Sequence, residues 1–210
     1  MSEESNFLKT VCGSARAEFE EKRSVFIGHI ERCDTEEEAQ AFVKKIKKEY
    51  GDATHNVFAY LMQGEIIARY SDDGEPQGTA GMPVLDAIRK SGVRNVCVVV
   101  TRYFGGTLLG AGGLVRAYSH AASLAIEAAG VITYEPYAEL ELRCGYSEYQ
   151  KYSVFLAAEA AIIDGVEYEA DVCVRFAIKE SKQESLTQKI VEMSYGKDRP
   201  MKTGVRLDYR

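Results

Sequence analysis

The chain has 210 residues, a formal net charge of -6 and an apolar fraction of 46%, ordinary for a globular protein and enough for one large or two small cores. That negative balance excludes a general attraction to nucleic acid, so any such surface has to be a local patch. No apolar run approaches a membrane span, and Met1-Ser2-Glu3-Glu4 lacks the basic and apolar regions of a signal peptide, so the expected location is cytoplasmic, with no membrane partner.

In chain order, Ala15 to Glu20 and Ser24 to Cys33 predict two strands joined through Glu21-Lys22-Arg23. A helix follows. Asp34 or Thr35 caps it, Glu36 to Glu38 fill its first turn, Ala39, Phe42, Val43, Ile46 and Tyr50 make its inward stripe, and Gly51 stops it. Lys44, Lys45, Lys47 and Lys48 suit the negative end of its dipole and read as a solvated face. Val57 to Met62 and Glu65 to Tyr70 predict a hairpin around Gln63-Gly64, delivering the chain to Ser71-Asp72-Asp73-Gly74-Glu75-Pro76. Asp72, Asp73 and Glu75 could ligate magnesium or supply a base. They could equally be turn chemistry, with side chains bonded to backbone N–H groups, or ion-pair partners of Arg102 or Arg116.

The unbroken run Cys97 to Val100 suits a central strand covered on both faces. After it come Arg102, Tyr103, Phe104 and a loop holding Gly105, Gly106, Gly110, Gly112 and Gly113. The next helix carries Leu114, Ala117, Tyr118, Ala121, Leu124, Ala125 and Ala128 on one stripe, its alanines allowing a close approach to the sheet. Strand, glycine loop and helix start together point N–H groups and a positive dipole end outward, which suits an anion; a tight turn needing glycine explains the same residues without a ligand. Arg102 and Arg116 flank the loop with planar donors for phosphate or carboxylate, and Tyr103 and Phe104 offer faces for a base or for the core. Two nucleotide motifs fail: Ala111-Gly112 stands where a Walker A loop needs Lys-Ser/Thr, and Val115 where a dinucleotide fingerprint needs its third glycine.

Cys12, Cys33, Cys97, Cys144 and Cys173 are widely spaced and odd in number, and His29, His55 and His120 are scattered, so neither a disulfide framework nor a metal site nor a hydrolase motif is indicated. No catalytic residue, metal ligand or cofactor is assigned. Beyond Gly130, Tyr137 to Cys144 alternates as a strand with one wet face, followed by a helix from Ser147, a hairpin from Ile162 to Ile178, a helix from Lys182 to Tyr195 and a strand at Val205 and Leu207. That βαββαβ order is ferredoxin-like. The expected domains are residues 1–132 and 133–210. Acidic residues outnumber basic ones from Tyr134 onward, leaving Lys197, Arg199, Lys202, Arg206 and Arg210 as a local basic cluster.

Arg102-Tyr103-Phe104-Gly105-Gly106-x-x-Leu109-Gly110 resembles the signature of the YigZ/IMPACT family. Ser71-Asp72-Asp73-Gly74-Glu75-Pro76 with Gly81-x-Pro83 resembles the acidic motif that precedes it there, with no departure in either. The resemblance implies an α+β protein of two domains: an amino-terminal domain of the ribosomal-protein and GHMP-kinase type, and a ferredoxin-like carboxy-terminal domain resembling those of elongation factor G. It also implies a translation-linked regulatory or binding protein rather than an enzyme, touching RNA, the ribosome or a translation-associated protein. The contact expected is Arg102, Tyr103, Phe104, Gly105, Gly106, Gly110, Gly112, Gly113 and Arg116, with Asp72, Asp73 and Glu75 as the acidic motif. An enzyme acting on a small phosphorylated substrate or nucleotide at the same loop is the alternative.

Overall fold

A computed structural model describes residues 7–62 and 67–209. It divides into two compact units, Leu8–Thr133 and the chain from Tyr134 onward, so the division falls inside one long strand.

In the first unit a short strand that the sequence pattern did not mark, β1 (Leu8–Val11), comes before β2 (Ala15–Glu21) and β3 (Ser24–Arg32). Helix α1 (Glu36–Glu49) follows, capped by Thr35, whose hydroxyl accepts from Glu38 N at 3.2 Å. Reciprocally, Glu38 Oε2 accepts from Asp34 N at 2.7 Å, in the manner of a capping box. Strands β4 (His55–Leu61) and β5 (Ala68–Ser71) pair antiparallel, as the hairpin reading expects; its turn, Gln63-Gly64, lies outside the described residues. Helix α2 (Gly81–Ser91), strand β6 (Val96–Tyr103) and helix α3 (Ala111–Ala129) complete the unit.

The sheet runs β2-β3-β6-β4-β5, with all four neighbouring pairs antiparallel. Strand β6 is central and apolar on both faces because both faces are covered. Val96, Val98 and Val100 pack with α2 and α3, while Cys97 and Val99 pack with Phe42, Val43 and Ile46 of α1. Helix α3 lies so close on β3 that a Cβ on Gly28 would collide with the Ala121 carbonyl, which is what the small residues of its inner stripe permit.

The second unit holds β7 (Val131–Cys144), which begins in the first, then α4 (Tyr146–Ala158), β8 (Ile162–Tyr168), β9 (Val172–Lys179), α5 (Gln183–Met193) and β10 (Met201–Asp208). Its strands run β10-β7-β9-β8, all antiparallel, the ferredoxin-like order. Leu140, Leu142, Val174 and Phe176 face Tyr152, Leu156, Leu186 and Ile190 of the two helices. No helix among the described residues is long and apolar enough to cross a membrane.

Candidate functional site

The acidic turn is built first, by backbone. Asp72 accepts at Oδ1 from Ala80 N (3.1 Å) and Gly81 N (2.8 Å) and at Oδ2 from Gly78 N (2.9 Å). It thereby caps the start of α2, which has no cap of its own because Ala80 precedes it. A carboxylate also suits the positive end of that helix. Asp73 accepts from Asn56 N at 2.7 Å and from Lys47 Nζ at 2.5 Å, tying the turn to β4 and to α1. One lysine of the α1 run is thus a structural partner as well as a dipole complement. Among the described residues no group of three His, Cys, Asp or Glu side chains gathers as metal ligands would.

Glu75 reaches inward. Its Oε1 accepts from Arg102 Nη1 at 2.5 Å and from the Tyr118 hydroxyl at 2.8 Å. His55 Nε2 lies 3.9 Å from the same oxygen, its ring held by Nδ1 donating to the Asp73 carbonyl at 2.8 Å. The side chains of Arg102 and Glu75 are 6% and 4% exposed, and burial on this scale makes the pair a constituent of the fold. Burial, followed by the charge of Glu75 and the hydrogen bond to it, pushes the Tyr118 hydroxyl far up, so it stays a donor throughout the physiological range. Arg102 Nη2 also reaches Ser24 Oγ at 3.4 Å, its guanidinium lies 5.4 Å from the ring centres of both Phe26 and Phe104, and its Nε is buried without an acceptor. Of the three readings of the acidic residues, Asp72 and Asp73 take the turn chemistry and Glu75 the ion pair with Arg102. That arginine is an internal strut, not an outward phosphate donor: β6 has already buried it against Phe26.

The residues after it divide in the same way. Tyr103 donates its hydroxyl to Asp52 Oδ1 at 2.9 Å, and the backbone N–H groups of Phe104 and Gly105 are bonded to Thr54 Oγ1 (3.0 Å) and Ser24 Oγ (3.1 Å). Gly105 has to be glycine because a Cβ there would penetrate the Arg23 backbone; the contact presses the β2–β3 turn onto the loop. The ring of Phe104 is half in solvent, and Leu108 is 82% exposed. Gly106 and Gly110 have φ of 81° and 72°, both in the left-handed region, and a Cβ at either would meet open space.

The amino end of α3 is the open part. Gly110 supplies no side-chain cap, no acidic residue stands in the first turn, and Gly110, Ala111 and Gly112 are exposed. A Cβ on Gly112 would lie 3.7 Å from Arg116 Nη1, so that guanidinium folds back beside the first turn; Gly113 is packed against Leu109. Among the described residues Arg116 has no carboxylate partner, and neither do Lys22 and Arg23 in the β2–β3 turn. Arg116 and Lys22 line one hollow with Glu21, Phe19, Leu109 and His120, so one carboxylate shares it with the two cations. A second hollow of about 390 Å³, on the other side of Leu109, has His55, Glu75 and Arg102 in its lining with Phe104, Leu108 and Leu114. Sequence reasoning missed Lys22 and Arg23; two cations in a two-strand turn, with no acid after them, were the available signal.

In the second unit two residues of the basic cluster are neutralised, while Lys197 and Arg199 are exposed and form no ion pair among the described residues. Arg206 binds both oxygens of Asp164 at 2.8 and 2.9 Å and also reaches Asp208, and Lys202 donates to Glu180 at 2.7 Å. Arg210 lies outside the described residues. The first unit carries the better candidate because there a cation without an ion pair stands beside an uncapped helix terminus.

Together these features define a two-unit α+β protein with a buried acid–arginine clamp beneath a glycine loop and an uncapped helix terminus. A family model for the Impact N-terminal domain matches residues 22–126, and one for a domain of unknown function, DUF1949, matches residues 142–197. IMPACT family member YvyE of Bacillus subtilis is 36% identical over 177 residues, covering 84% of this chain and 82% of the relative. IMPACT family member YigZ of Escherichia coli is 35% identical over 178 residues, covering 83% and 87%. The Protein IMPACT homolog of Dictyostelium discoideum is 40% identical over 106 residues, 48% of this chain and 29% of that protein. A solved structure titled "Crystal structure of an hypothetical protein" superposes with a TM-score of 0.59 at 31% identity, covering 95% of this chain and 98% of that one. The chain belongs to the IMPACT family.

Proposed function

We propose that this chain is a non-enzymatic, translation-linked binding protein that holds RNA phosphates at the glycine loop of its first unit. The observation that carries the reading is the unpaired Arg116 guanidinium beside the uncapped, exposed amino end of α3. Free N–H groups, the positive dipole end and a planar cation converge there, and all three favour a phosphate. Lys22 and Arg23 extend the positive charge across the adjoining turn, where with Arg116 they outweigh the neighbouring Glu21 on a chain of net charge -6. Gly106, Gly110, Gly112, Gly113 and Phe104 form the contact with Arg116; Arg102, Tyr103 and Gly105, with Asp72, Asp73 and Glu75, shape the loop from beneath. The link to translation rests on family membership.

The test is fluorescence anisotropy with a labelled single-stranded RNA over a range of salt concentrations. Arg116→Ala should weaken binding at low salt, and the joint change Lys22→Ala with Arg23→Ala should weaken it further. No RNA binding by the wild-type chain, or affinities unchanged in both variants, would remove the assignment.

A further inference from the structure

We infer that the hollow above Glu75 is a pocket for one unstacked nucleobase of a single-stranded RNA whose backbone continues toward Arg116. This rests on the phosphate reading above and adds to it what lies between the phosphates.

The argument begins at the carboxylate. Glu75 Oε1 is saturated by Arg102 and Tyr118, with His55 close by, whereas Oε2 receives no hydrogen bond from any described residue. Glu75 lines a hollow whose other walls are mainly apolar, with Phe104, Leu108, Leu109, Leu114 and Pro76, beside the polar Thr54, His55 and Arg102, and its fixed carboxylate is the acceptor there. An acceptor set in apolar walls selects a flat, largely apolar group carrying an N–H, because a polar ligand atom left unpaired there would lose its hydrogen bonds to water. Each of the four RNA bases carries such an N–H. The half-exposed ring of Phe104 provides a stacking face, and about 390 Å³ falls at the small end of ligand sites, enough for a single nucleoside rather than a stack.

The same hollow includes Gly110 and Ala111, so the open end of α3 forms part of its wall, where an anion attached to that flat group would sit. Beyond Leu109 the cations of Arg116 and Lys22, which form no ion pair among the described residues, outnumber the single carboxylate of Glu21 in the next hollow and continue the path. A free carboxylic acid or a short peptide would need the first anion site only. A polyanion uses the whole line, and this favours RNA.

The test compares labelled oligoadenylate, the same oligomer with purine in place of adenine, and inorganic polyphosphate, on wild type, Phe104→Ala and Arg116→Ala. Replacing adenine by purine deletes the base's N–H donors and leaves the backbone intact. Phe104 is exposed, so its removal spares the core. Loss of one stacked base should lower oligoadenylate affinity about tenfold in Phe104→Ala, with polyphosphate binding unchanged, and the purine oligomer should bind several-fold more weakly than oligoadenylate to wild type. If Phe104→Ala and the purine oligomer both leave affinity unchanged while Arg116→Ala weakens it, the base pocket is wrong and the phosphate reading stands. If Arg116→Ala is also without effect, both are wrong.

Discussion

Two arginines flank one glycine loop fourteen positions apart, and the fold gives them opposite surroundings. Arg102, one residue before the end of the central strand, is sealed against Phe26 and bonded to Glu75; Arg116 stands on the outer face of α3 with no ion-pair partner among the described residues, although Glu21 lines the same hollow. In the sequence both are planar cations beside glycines. The difference lies in what the neighbouring elements bring. The acidic turn reaches across to the end of β6, while the first turn of α3 carries no acid at all. A cation beside a glycine loop is therefore available to a ligand only when no element of the same fold has already supplied its counter-ion.

The contrast is broken most forcefully at the clamp. Glu75→Ala leaves the Arg102 charge buried and unpaired, and equilibrium urea unfolding should report a loss of about 3–5 kcal/mol. Replacing the whole cluster, with Arg102→Met, Glu75→Leu and Tyr118→Phe together, should recover most of it, because no buried charge or hydroxyl is then left without a partner. A triple variant as unstable as the single one would mean that the carboxylate does something other than balance the arginine.

Next in size are the glycines at close approach. Gly28→Ala puts a methyl group into the Ala121 carbonyl and Gly105→Ala puts one into the Arg23 backbone. Each should cost about 1–3 kcal/mol in the same measurement. Gly106 and Gly112 meet no such obstacle; Gly112→Ala should be well tolerated.

A third effect depends on pH. His29 is buried in the sheet beside Thr101, its Nε2 at 3.3 Å from Oγ1, and burial, then the charge of Arg16, lowers its pKa to about 4 from 6.5. The folded chain therefore binds fewer protons than the unfolded one between these values, so stability is complete above about pH 6.5 and falls as the pH drops toward 4. His29→Gln should flatten that part of a urea-midpoint-against-pH curve; an unaltered curve would assign the acid sensitivity elsewhere.

Much of this architecture was legible in the sequence because burial leaves periodic traces. The two-sided run Cys97 to Val100, the α1 cap and stripe, the α3 stripe and the βαββαβ order each follow from local pattern, and the structure contains them. Strand β1 left too short an alternation to register. The site was half legible. Glycines and cations mark the loop by type, but the choice between clamp and contact depends on pairs distant in sequence: Glu75 with Arg102, Asp73 with Lys47, and the Arg23 backbone with Gly105. No periodicity records these. The cluster at Lys202 and Arg206 differs from its expectation for the same reason, since the carboxylates that neutralise it, Glu180 and Asp164, arrive from other elements.

The smallest stability effect belongs to the exposed cation. Arg116→Met should change unfolding free energy by less than about 0.5 kcal/mol, as expected of a surface position without partners. The measurement that decides between the two arginines is the salt dependence of RNA affinity in this variant and in the triple clamp variant. If the loop is used as described, the logarithmic slope for Arg116→Met falls by about 0.7, the value of one phosphate contact on a single strand, while the triple variant keeps the wild-type slope. A wild-type slope in Arg116→Met together with a reduced one in the triple variant would contradict the account, because the buried arginine would then be the one that meets the phosphate.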